Sequence, residues 1–86
     1  MELEQLRLFV SAAEHKSFSA AARALYTSHS TISRAVSALE AELERELFIR
    51  EHKVLTLTPA GEILLEDAKA MLELADNIPE KINGLG

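Results

Sequence analysis

Two amphipathic segments separated by only two residues constrain this chain more than any other feature. Phe18, Ala21, Ala22 and Leu25 recur at i, i+3, i+4 and i+7, the spacing of one helix face, with Ser17 or Ser19 as the capping residue. From Ser28 to Leu43, the residues Ile32, Val36, Leu39 and Leu43 fall within an arc of about 60°, a narrow stripe that packs onto a core. Ser28 suits the N-cap, because its hydroxyl can accept a bond from a first-turn N–H that otherwise lacks a partner. Only Tyr26 and Thr27 lie between the two helices. A turn this tight excludes antiparallel side-by-side packing, so the pair crosses steeply as a helix-turn-helix.

The face opposite the stripe carries Ser30, Arg34, Ser37, Ala38 and Ala41, small or hydrogen-bonding side chains and one guanidinium. Such a face approaches another molecule closely, although the stripe alone leaves open whether it meets solvent, a protein or DNA. In DNA-binding helix-turn-helix pairs the second helix enters the major groove by its N-terminal residues. Short donors and acceptors there meet base edges and nearby phosphates, and a rigid cation meets guanine or the backbone. His29, Ser30, Thr31, Ser33 and Arg34 supply that set. The net charge of −5 opposes binding to a polyanion, but the acid is segregated. Residues 15–39 hold Lys16, Arg23 and Arg34 and no carboxylate, whereas Glu40, Glu42, Glu44 and Glu46 follow directly. At a Debye length of about 8 Å, distant carboxylates are largely screened from a groove-facing surface.

Around this pair the chain reads as scaffold. Residues 3–14 form a first helix with Leu6, Phe9, Val10 and Ala13 on one face and Glu4, Arg7, Ser11 and Glu14 elsewhere. Leu3 and Leu8 lie beside that face, serving either a generous core or a dimer surface. Leu47-Phe48-Ile49-Arg50 and Val54-Leu55-Thr56-Leu57 are strand-forming runs around Glu51-His52-Lys53, and they predict a hairpin wing. A lone hairpin is marginal, so Leu47, Phe48, Leu55 and Leu57 are its anchors. Arg50, His52 and Lys53 at its tip are either solvated or placed to reach a phosphate or a minor groove. Thr58-Pro59 starts a final helix. In it Leu64, Ala68, Met71, Ala75, Ile78 and Ile82 repeat like a coiled-coil seam, widened by Leu65, Leu72 and Leu74. Part of that surface is expected to pack on its own domain and part on a second subunit, in a C2 dimer using Leu64, Ala68, Met71, Leu72, Ala75 and Ile78. Pro79 disfavours helix at Ile78, which predicts an end or kink near Asn77, and residues 83–86 read as frayed.

Other function classes find little support. The chain has no cysteine, so disulfides, thiolate zinc sites and cysteine nucleophiles are excluded. His15, His29 and His52 lack metal-ligand spacing, and no cofactor or metal is assigned to the chain. No nucleophile–base pair or phosphate-binding glycine loop marks an enzyme. No apolar run approaches the ~20 residues of a membrane span and the N-terminus is acidic, which predicts a soluble, cytoplasmic protein without a membrane partner. The competing reading is a helical protein-interaction or dimerisation module whose acidic C-terminal half docks a basic partner without DNA binding.

Phe18-Ser19-Ala20-Ala21-Ala22, then Ser28 to Arg34, Leu39-Glu40 with Leu43, Leu47 to Arg50, and Leu57-Thr58-Pro59-Ala60-Gly61 together resemble the N-terminal domain of LysR-type transcriptional regulators. The resemblance implies a mainly α fold: a winged helix-turn-helix of three helices and a two-stranded wing over residues 1–58, then a linker or dimerisation helix over 59–86. It implies a bacterial, sequence-specific transcription factor that binds an inverted-repeat operator as a homodimer, or a tetramer at full length. It maps recognition contacts onto His29, Ser30, Ser33 and Arg34 and wing contacts onto Arg50 and Lys53. It also implies a further domain, outside these residues, that senses a small-molecule effector. His29 stands where the family often has glutamine, Ala35 where a polar residue is common, and Lys53 where arginine is common. Glu44-Arg45 replaces the usual glycine-hydrophobic pair before the wing.

Overall fold

The computed structural model describes residues 1–51 and 53–86. The expected place of His52 in the wing tip lies outside the described residues. Helices α1 (Leu3–His15), α2 (Phe18–Ala24) and α3 (His29–Leu43) precede a hairpin of β1 (Phe48–Ile49) and β2 (Thr56–Leu57), and α4 (Pro59–Asn83) closes the chain. The strands are antiparallel with Phe48 opposite Leu57 and Ile49 opposite Thr56.

Local chemistry sets where each helix begins. Ser17, Ser28 and Thr58 are N-caps whose side chains accept the N–H of Ala20, Thr31 and Gly61, so the second, third and fourth helices start on hydroxyl caps. At α1, Glu2 forms a capping box with Gln5. After α2, the Tyr26 N–H bonds the Arg23 carbonyl and the Thr27 N–H the Ala22 carbonyl, the paired closure that turns a helix end sharply. This is the tight turn expected between α2 and α3.

The core gathers Leu6, Phe9 and Ala12 of α1, Ala21 and Ala22 of α2, Ile32, Val36 and Leu39 of α3, Leu47 and Phe48 of the wing, and Leu64, Ala68 and Leu72 of α4. Phe48 joins the layers: its ring lies 5.3 Å from Phe9 and 5.8 Å from Phe18, the latter edge to face. The wing is anchored as its sequence requires, with Leu47 and Phe48 buried and Leu55 and Leu57 packed against the core.

Several expectations change. Leu25 caps α2 from outside the helix and is 42% exposed, because the turn begins one residue earlier than the apolar spacing suggests. Leu43 is 38% exposed, and Ala35 takes its place among the buried residues of α3. On α1, Leu8 belongs to the core and Leu3 stays exposed. Ser11 is buried rather than outward, with its carbonyl accepting from His15 Nδ1 at 2.9 Å and its hydroxyl 3.3 Å from the same nitrogen. The strands are two residues each, shorter than the predicted runs; Val54 and Leu55 precede β2.

The helix α4 does not end near Asn77. Pro79 lies inside it, and beyond the proline the Gly84 N–H bonds the Glu80 carbonyl at 3.1 Å, so the missing donor costs one bond without stopping the helix. The seam predicted along α4 divides into two neighbouring faces. Leu64, Ala68 and Leu72, expected at a dimer contact, are buried against their own domain and are not open to a partner. Met71, Leu74, Ile78, Ile82 and Leu85 are exposed, and the first four sit within an arc of about 80° on the helix. Ala75 is half-buried between the faces. Arg7 of α1 ties down this half of α4, donating to Asp76 at 2.6 and 3.3 Å and holding its carboxyl below the usual aspartate range. No helix among the described residues is long and apolar enough to cross a membrane.

Candidate nucleic-acid interface

The N-terminal turn of α3 presents the residues singled out in the sequence, but in different roles. Ser28 organises the turn: its Oγ accepts the Thr31 N–H at 3.1 Å and lies 2.8 Å from the Thr31 hydroxyl and 3.2 Å from that of Ser30. Thr31 is half-buried with its hydroxyl engaged in the cap, so of the expected contacts it is the least free to leave the protein. His29 and Ser30 are exposed, Ser33 is half-buried, and Arg34 is exposed one turn on. The His29 imidazole stands edge-on to Phe18 with centroids 5.5 Å apart, which fixes its ring beside the start of α2.

A cleft of about 290 Å³ opens next to His29, between the start of α2 and the wing. Lys16, Ser17, Phe18, Ser19, His29, Arg50, Lys53 and Leu55 line it, two hydroxyls and four basic side chains from three parts of the chain. No carboxylate is among these lining residues. The wing is pulled against the helices here, because the Leu55 N–H donates to the Lys16 carbonyl at 3.2 Å. The structure therefore brings His29, Arg50 and Lys53 to one cleft, with Ser30, Ser33 and Arg34 following along α3.

Arg50 differs from the other cations. Its Nη2 donates to Glu40 Oε1 at 2.9 Å, and its guanidinium carbon lies 5.9 Å from the centroid of Phe18. Among the described residues, neither Arg34 nor Lys53 forms an ion pair. Glu40 also accepts the Leu47 N–H through Oε2 at 2.8 Å, and its backbone carbonyl accepts the N–H groups of Glu44 and Arg45. Sequence reasoning missed this residue, because Glu40 opens a run of alternating glutamates that reads as a solvated acidic stretch. The signal lay ten residues away, in an arginine that has to pass the side of α3. The sequence reading also gave the cleft no shape, although it named most of its basic residues.

Comparison with known proteins follows the same outline. Residues 3–62 match the family described as "Bacterial regulatory helix-turn-helix protein, lysR family". The HTH-type transcriptional regulator TfdS of Cupriavidus pinatubonensis is 50% identical over 74 residues, which are 86% of this chain and 25% of TfdS. The chain thus spans about a quarter of the length of TfdS, and a similar share of TcbR from Pseudomonas. Among solved structures, the DNA-binding domain of CbnR in complex with DNA superposes with a TM-score of 0.92 at 40% identity, covering 99% of this chain and 98% of that one. The DNA-binding domain of BenM with its catB site 1 DNA gives a TM-score of 0.94 at 32% identity, covering 99% and 94%. With the matched residues spanning all three helices of the helix-turn-helix core, the wing and the start of α4, this chain belongs to the LysR family of bacterial regulatory helix-turn-helix proteins.

Proposed function

We propose that this chain is the DNA-binding part of a cytoplasmic transcription regulator that reads an inverted repeat in double-stranded DNA as a homodimer. Helix α3 enters the major groove by its N-terminal turn, where His29, Ser30 and Ser33 meet base edges or nearby phosphates and Arg34 reads a base or holds the backbone. Lys53 of the wing reaches the flanking backbone or minor groove as a flexible point charge. The observation that carries this reading is a basic, carboxylate-free cleft at His29 in the first turn of α3, with Arg34, which forms no ion pair among the described residues, further along the same helix. The two DNA complexes of similar domains support it. The exposed stripe Met71, Leu74, Ile78 and Ile82 supports a second copy along α4, with tetramers reserved for the full-length protein. No resident cofactor is assigned, and effector sensing is placed outside these 86 residues.

The test is selection of bound sites from a random duplex pool, at protein concentrations that keep a weak dimer together. Enrichment of an inverted repeat with fixed half-site spacing supports the reading. No enrichment from a protein that is dimeric by light scattering sinks it and favours a protein-interaction module.

A further inference from the structure

We infer that Glu40 is a positioning residue that locks the wing onto the recognition helix and withdraws Arg50 from the cations that neutralise DNA phosphates. This inference rests on the DNA-binding reading and refines the electrostatics of that site.

The geometry of Glu40 is unlike that of an ordinary surface glutamate. Its side chain is 13% exposed, and each carboxylate oxygen has a different partner: Oε2 takes the Leu47 N–H at the entrance to the wing, and Oε1 takes Arg50 at the exit of β1. One oxygen thus satisfies a backbone donor that burial of Leu47 would otherwise leave unpaired, and the other faces a cation. The backbone carbonyl of the same residue closes α3 through Glu44 and Arg45. The end of the recognition helix and the start of the wing are therefore fastened to one side chain and its own peptide.

Arg50 is held from two sides, by this carboxylate and by the Phe18 face. A guanidinium beside a carboxylate that is itself anchored contributes little net charge to an approaching polyanion. Counterion release counts phosphates neutralised by free charge, each contributing about 0.9 to the slope of log K against log salt. Arg50 sits on the DNA-facing cleft yet is silent in that count, while Lys53 in the same wing has no ion-pair partner among the described residues.

The experiment measures binding by fluorescence anisotropy across a salt series, using a labelled synthetic duplex of the most enriched selected sequence. Glu40→Gln keeps an oxygen for the Leu47 N–H but cannot pair with Arg50 as an ion. Its slope is expected to steepen by about 0.9 as Arg50 becomes free to meet a phosphate. Adding Arg50→Ala to Glu40→Gln removes the pair without changing net charge and is expected to restore the native slope. A double variant shallower than native by about 0.9, or a folded Glu40→Gln with the native slope, overturns the inference. Should the Gln variant fail to fold, nitrogen-15 spectra of the native arginine side chains decide it. An Arg50 resonance unmoved by the duplex while Arg34 shifts supports the inference, and an equal shift overturns it. A native chain that binds no duplex at any salt defeats the DNA-binding reading itself, whereas binding with the wrong slopes defeats only the role of Glu40.

Discussion

Lys16, Tyr26 and Glu44 hold left-handed backbone, with φ of 54°, 54° and 53°, and each stands where a helix stops. Residues with a Cβ pay roughly 1–2 kcal/mol there, and glycine is the usual occupant of such positions. Tyr26 is 98% exposed, so the fold recovers nothing from its ring. Tyr26→Gly and Glu44→Gly are each expected to stabilise the domain by about 0.5–1 kcal/mol, the gain reduced by the freedom glycine adds to the unfolded chain. Thermal unfolding of each variant checks this, and an unchanged or lower midpoint refutes it. At Glu44 the family's usual glycine is replaced, yet the backbone keeps the glycine-like turn, with the Glu44 and Arg45 N–H groups both donating to the Glu40 carbonyl. A residue name shows the cost of a conformation and not whether its surroundings enforce it. Arg34 is the residue whose predicted role is easiest to test: Arg34→Ala is expected to weaken binding of the selected duplex by about 1–3 kcal/mol if the guanidinium reads a base, with selectivity lost at that position.

At the scale of elements, the caps and core faces were readable because they depend on neighbours within one or two turns. The Ser28 and Thr58 caps follow from their hydroxyl side chains, and the Ile32, Val36 and Leu39 stripe follows from spacing. Contacts between elements were not readable from spacing. Gly61 shows why: a Cβ built there would lie 2.1 Å from the Leu47 carbonyl oxygen, an acceptor already used by the Thr58 N–H at 3.0 Å. The first turn of α4 is pressed onto the entrance of the wing so closely that only hydrogen fits. Gly61→Ala is therefore expected to cost about 1–3 kcal/mol, measured as a lower urea midpoint with little change in m. The Arg7–Asp76 bridge fastens α1 to the later turns of α4 in the same long-range way. Because the folded state depresses the Asp76 carboxyl, first through its hydrogen bonds with Arg7, the contribution is present above the ordinary aspartate pKa near 4 and lost as pH falls through the lower folded value. The stability difference between native and Arg7→Ala proteins should hold near neutrality and shrink only below about pH 4; a difference independent of pH down to 2 contradicts the coupling.

Across the whole molecule, the heptad-like spacing of α4 announced an excess of apolar surface divided between the domain and an outer face, but it put Leu64, Ala68 and Leu72 on the outer side. Leu64, Ala68 and Leu72 are used at home, and the stripe left exposed is Met71, Leu74, Ile78 and Ile82. Replacing Leu74 and Ile78 with Asp is expected to shift sedimentation from dimer to monomer while leaving the midpoint of unfolding nearly unchanged. Loss of the fold instead would place these side chains in the core. The α4 helix spans 25 residues, about 37 Å at 1.5 Å per residue, within a molecule whose longest extent is 52 Å. Its first half is wedged among α1, the wing and the core, and its second half carries the exposed stripe, with no loop between them. With no loop between these halves, α4 is one continuous lever that runs from its contacts with α1 and β2 out to the exposed stripe.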